Sequence, residues 1–111
     1  MTDLSFLQHF TKGDTAKMKR YINIYLTVAP KTFQQMQQAV RTQDWEQLRI
    51  QAHSLKPQTD YMGIHGLKAV LEDIEKNVLE EKFEKIHKLY EKALAIHSES
   101  TPLLKSFIDT P

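Results

Sequence analysis

Apolar residues recur along the chain in steps that alternate between three and four, the spacing that aligns side chains on one face of an α-helix. A first short stretch carries Leu4, Leu7 and Phe10, with Asp3 placed to cap it. Gly13 interrupts the pattern, and Asp14 can cap the next stretch, whose stripe reads Met18, Ile22, Tyr25, Ala29, Phe33, Met36 and Val40. That stripe keeps its phase across Pro30. One long helix with a bend is therefore expected, because proline removes a single backbone bond and crowds the preceding turn. Arg41-Thr42-Gln43-Asp44 reads as a polar turn, with Asp44 as the next cap. A third helix, from about Trp45 to Met62, presents Trp45, Leu48, Ala52, Leu55, Thr59 and Met62 as its seam, and Gly63 ends it.

Ile64, Leu67, Leu71, Ile74 and Val78 give a fourth helix. After Glu80-Glu81-Lys82, a fifth turns Phe83, Ile86, Tyr90 and Ala93 inward. Thr101-Pro102 has the form of a cap followed by a first-turn proline. It either starts a last short helix with Leu103, Leu104, Phe107 and Ile108 or kinks the fifth. No period-two run, repeat or low-complexity tract is present. Long helices joined by short turns pack most simply as an antiparallel four-helix bundle. The fold class expected is all-α: such a bundle with a short additional N-terminal helix.

With 111 residues, the chain suits one domain over 1–111. It has no cysteine, hence no disulfide framework and no thiolate zinc site, which fits a reducing compartment and a cytoplasmic location. The start, Met-Thr-Asp-Leu-Ser-Phe, lacks a basic segment followed by an apolar run, so no signal peptide is expected. No stretch approaches the ~20 apolar residues of a membrane span. Lys and Arg total 15 against 14 Asp and Glu, a balance that gives no basic field for nucleic acid. The three glycines leave a Gly-rich cradle for ATP hard to place, which argues against a self-contained kinase.

One histidine stands in an unusual position. At 100° per residue, His53 falls on the outer face of the third helix, with Glu46, Arg49, Lys56, Pro57 and Asp60 close to the same face. A neutral imidazole is a nucleophile near pH 7 and can accept a phosphoryl group and release it again. Such a carrier benefits from an exposed acceptor nitrogen, a nearby cation, and a hydrogen-bond acceptor that fixes the other ring nitrogen. Lys56 lies one turn after His53 and Arg49 one turn before it. Glu75 lies about 60° from the centre of the fourth helix's stripe, where a side chain can reach the neighbouring helix; Glu72 points further out. Ile50, about 60° from His53, and Tyr61 are expected as exposed apolar residues of a docking patch. The chain shows no site for Mg²⁺ and no acceptor carboxylate of its own, so a partner is expected to supply both.

The run Ala52-His53-Ser54-Leu55-Lys56, with Gly63 ten residues after the histidine, resembles the A-H-x-L-K-G signature of histidine-containing phosphotransfer domains. The stretch Ile24 to Pro30, then Phe33, Met36 and Asp44-Trp45, is similar to that family's second helix and the approach to its third. The resemblance covers nearly the whole chain. It implies that His53 is the phosphorylated residue, that Lys56 contacts the phosphoryl group, that Gly63 is the late glycine, and that Glu75 hydrogen-bonds the imidazole. It further implies receiver domains of response regulators and hybrid histidine kinases as partners, with Mg²⁺ in the receiver, no cofactor in this chain, and action as a monomer. Arg49, Ile50, Pro57, Asp60 and Tyr61 would line the docking face. Pro57 departs from the pattern, which has glycine there; it cannot donate to the carbonyl of His53, and the helix is expected to bend below the ring.

Two other readings remain open at this level. One is a helical binding module that docks receivers without phosphotransfer, a reading favoured by Pro57. The weaker one is a metal-binding bundle, because Glu84-x-x-His87 is half of a di-iron motif without its second copy. His9, His65, His87 and His97 read as structural or surface residues.

Overall fold

A computed structural model describes residues 2–110. Five α-helices follow one another: α1 (Ser5–Phe10), α2 (Thr15–Thr42), α3 (Trp45–Met62), α4 (His65–Leu79) and α5 (Ile86–Asp109), with a 3-10 turn at Phe83–Lys85 leading into α5. The periodic stripes account for this. Ile22, Tyr25 and Met36 of α2, Leu48, Leu55 and Met62 of α3, Leu67, Leu71 and Ile74 of α4 and Ile86 of α5 are all fully buried. Each such side chain contributes about 1.5–3 kcal/mol relative to exposure. α2 packs on α3, α3 on α4, α4 on α5 and α5 back on α2, which closes the four-helix bundle, and α1 lies against α3. The molecule is correspondingly elongated, 45 × 20 × 19 Å.

The polar punctuation fixes where helices start. Asp14 accepts from the Lys17 N–H at 3.1 Å and Asp44 from the Gln47 N–H at 3.2 Å, each satisfying a donor the helix itself leaves unpaired. Helix ends follow one pattern four times over. Lys12, Gln43, Gly63 and Glu81 adopt left-handed backbone conformations after α1 to α4. Around each, one N–H returns to the carbonyl three residues back and the next N–H to the carbonyl five residues before it, as in Gly63 to Asp60 (3.2 Å) and Ile64 to Thr59 (3.0 Å). Only one of the four positions is a glycine, and the reason is steric. Asp3 donates its N–H to the Gly63 carbonyl at 3.0 Å, and a Cβ on Gly63 would lie 1.6 Å from the Asp3 carbonyl oxygen.

α2 continues through Pro30 and α5 through Pro102. Thr101-Pro102 therefore does not open a separate helix. Thr101 spends its hydroxyl on the His97 carbonyl at 2.9 Å, inside α5. Most of the expected inward positions are buried; Phe10 and Leu103 are exposed, and Leu4, Val40, Trp45, Phe83, Phe107 and Ile108 are half-buried. Phe83 stacks on Trp45 at 5.0 Å and 9°, closing one end of the bundle. Inside, the Tyr25 hydroxyl meets His97 Nδ1 at 3.0 Å, and the His97 ring lies flat on Phe33 at 4.6 Å. His97 is thus a core histidine. Burial lowers its pKa below the usual imidazole range and raises that of Tyr25.

Candidate functional site

His53 stands on α3 with its side chain 67% exposed. The phase that buries Leu48, Ala52, Leu55 and Thr59 on one side turns it outward. Glu75, from α4, is nearly buried between the two helices, and each of its oxygens has its own partner. Oε1 lies 2.6 Å from His53 Nδ1 and Oε2 lies 2.8 Å from Lys56 Nζ. An ionised carboxylate can only accept. Nδ1 must therefore carry the ring proton and donate it to Glu75, which leaves the lone pair on Nε2, at the solvent side of the ring. One carboxylate so fixes both the tautomer and the ring plane.

Lys56 is less free than its place one turn from His53 suggests. Its side chain is only 22% exposed and is held by Glu75. The expectation of an exposed lysine is corrected accordingly: the ammonium is engaged by the far oxygen of the carboxylate that also holds the ring. α3 runs through Pro57 as a single helix. Pro57 itself is exposed, and because it carries no N–H, the His53 carbonyl has no intrahelical donor.

The residues expected around His53 divide into two rows. Arg49 and Asp60 belong to the row facing α4. Arg49 forks onto the Glu46 carboxylate, and Asp60 pairs with Lys68 of α4 at 2.9 Å. The hydrogen bonds from Arg49 hold the Glu46 carboxyl below its ordinary range, and Asp60 holds the Lys68 ammonium above its own. These pairs are exposed and add little stability. Ile50, Pro57 and Tyr61 form the other row, towards α1 and α2, spaced seven and four apart on the helix. Ile50 is exposed at 44%. Tyr61 is not an exposed residue as expected; it is half-buried, stacked on Tyr21 at 5.5 Å and met edge-on by Phe6 at 5.6 Å and Phe10 at 5.3 Å.

Further apolar residues were not read as surface from the sequence. Phe6, Phe10, Ile24 and Val28 are large apolar side chains left exposed on α1 and α2. Their signal was available: Ile24 and Val28 lie four apart and off the buried stripe of α2. On the opposite side of His53 an open groove runs between α3 and α4, lined by Arg49, His53 and Lys56 and by Glu72, Glu75, Lys76, Leu79 and Glu80. Elsewhere, His65 approaches Asp3 at 3.8 Å and His87 pairs with Glu91 at 2.7 Å. Among the described residues, no group of three or more His, Asp or Glu side chains is arranged to hold a metal ion. Nor, among them, is any helix long and apolar enough to cross a membrane.

The family model of the Hpt domain matches residues 20–99, well over half of the chain and inclusive of His53, Lys56, Gly63 and Glu75. Searches of curated proteins and of solved structures return no match.

Proposed function

The chain belongs to the Hpt domain family, and from that premise we propose that it is a histidine phosphocarrier of a multistep phosphorelay, with His53 as the residue that carries the group. The observation that carries this reading is the exposed ring whose Nδ1 is occupied by Glu75 at 2.6 Å. Its free Nε2 lone pair attacks the phosphorus of a phospho-aspartate on a receiver domain. The Nε2–P bond forms, the P–O bond to the aspartate breaks, and the electron pair leaves with the carboxylate. The proton stays on Nδ1 throughout, hydrogen-bonded to the Glu75 carboxylate, so the reaction needs no separate base. Transfer onward to a second receiver's aspartate runs the same step in reverse. Mg²⁺ belongs to the receiver in this scheme, and the carrier contributes position and charge.

The docking face consists of the apolar row Ile50, Pro57 and Tyr61 of α3, extended by Ile24 and Val28 of α2 and by Phe6 and Phe10 of α1. Arg49 and Asp60 supply charge at its margin. An apolar centre with a charged rim suits a transient partner, and the cytoplasm is where such partners are expected. The experiment is transfer from phosphorylated receiver domains. Label that is acid-labile and base-stable should appear on the wild type and be absent from His53→Gln, whose stability should stay within about 0.5 kcal/mol of wild type because the ring is exposed. Label that persists in His53→Gln refutes the assignment. Receiver binding that survives the substitution, with no label on either protein, points instead to a docking module.

A further inference from the structure

Resting on the phosphocarrier reading, we infer that Lys76 of α4 is a phosphoryl-contacting residue, a cation that meets the group carried on His53 from across the groove. Three cations line that groove. Two are already engaged: Arg49 with Glu46, and Lys56 with Glu75 at 2.8 Å. Among the described residues, Lys76 alone of the three has no carboxylate within 4.0 Å. Its side chain is exposed.

The groove needs such a cation once it is loaded. A phosphoryl group brings roughly −1.5 to −2 charges at neutral pH. On Nε2 it enters a groove that already holds Glu72, Glu75 and Glu80, the last of these paired with Lys82 at 3.2 Å. If Lys56 swung over to it, Glu75 would lose its counter-ion in a nearly buried position, which costs more than recruiting an unpaired charge from solvent. Lys76 is placed for that. It lines the same groove as the His53 ring, on the α4 side. It shares one face of α4 with Glu72 and Leu79, four residues after the one and three before the other. The flexible stem of a lysine delivers a point charge without prior ordering. Lys56 then acts as the positioning cation that keeps Glu75 on the ring, and Lys76 as the one that touches the phosphoryl oxygens.

The test uses the full chain and phosphoramidate as donor, which removes receiver docking from the measurement. Nε2 attacks phosphorus, the P–N bond breaks, ammonia leaves, and the ring proton remains on Nδ1, hydrogen-bonded to Glu75. Labelling of His53 should be about tenfold slower in Lys76→Ala than in wild type. It should return in Lys76→Arg, and it should weaken with added salt more steeply in wild type than in Lys76→Ala. Urea midpoints of the variants report folding separately. Equal labelling rates for wild type and Lys76→Ala at low and high salt overturn the role of Lys76 and leave the phosphocarrier reading standing. Absence of label on wild type, or label that survives His53→Gln, overturns the reading itself and the inference with it.

Discussion

Replacing Gly63 with alanine tests how the N-terminal segment is held. Two costs add. An alanine held at φ +64° carries the left-handed penalty of about 1–2 kcal/mol. The same penalty is already borne by Lys12, Gln43 and Glu81 at the ends of α1, α2 and α4, so by itself it is tolerable. The second cost is particular to this site. The new methyl group would sit 1.6 Å from the Asp3 carbonyl oxygen and 2.7 Å from its Cα. That obstacle is backbone, so no rotamer change relieves it and Asp3 must move away. Its 3.0 Å bond to the Gly63 carbonyl then goes, at about 0.5–1.5 kcal/mol. α1 loosens with it, exposing part of Leu7, which is fully buried and worth about 1.5–3 kcal/mol. The expected loss is about 3–5 kcal/mol in urea unfolding followed by far-ultraviolet circular dichroism. In a chain lacking residues 1–4, the same substitution should cost only the backbone penalty of about 1–2 kcal/mol. Glu81→Gly should move stability the other way, upward by as much as about 1 kcal/mol. A cost for Gly63→Ala that is equal in the full and shortened chains would sink the steric argument.

The site and the core supply further expectations. Glu75→Gln keeps an acceptor for Nδ1 and removes the charge, so phosphoramidate labelling of His53 should slow about tenfold; Glu75→Ala removes both and should slow it about a hundredfold. Labelling at the wild-type rate in Glu75→Ala would mean that the ring needs no holder. Stability should depend on pH through His97. Its folded pKa is lowered by burial, so the unfolded chain binds the proton more readily and protonation favours unfolding. The contribution is complete above the unfolded value of about 6.5 and is lost as pH falls through it towards the lower folded value. Protonation also turns Nδ1 into a donor facing the Tyr25 hydroxyl. Urea unfolding at about pH 5 and pH 7.5 should differ more for wild type than for His97→Gln. The same difference in both proteins would place the pH dependence elsewhere.

Most of the helical plan was legible because it is local. A 3.6-residue period needs no partner to be read, and Asp14, Asp44 and the polar turns mark boundaries by chemistry with their own neighbours. The unbroken phase across Pro30 carried α2 through a residue that usually ends helices. The outward direction of His53 and the place of Lys56 one turn away follow from the same arithmetic. Where two local signals competed, periodicity could not choose. Thr101-Pro102 has the form of a start, yet the Thr101 hydroxyl bonds back to the His97 carbonyl and the helix continues.

What stands opposite a residue was decided only on folding. Glu75 could be placed on the right flank of α4, but its division between His53 Nδ1 and Lys56 Nζ depends on how α3 and α4 sit against each other. Tyr61 looked exposed because α1 and α2 lie outside its own helix; Phe6, Phe10 and Tyr21 cover it. Gly63 read as a helix stop, a role that Lys12, Gln43 and Glu81 perform without glycine. Its lack of a side chain is required by Asp3, sixty residues earlier in the chain. Helical phase sets the direction of a side chain from its own axis. Contact between helices is a property of packing, in which shape and charge from distant segments meet at distances that no spacing along the chain encodes.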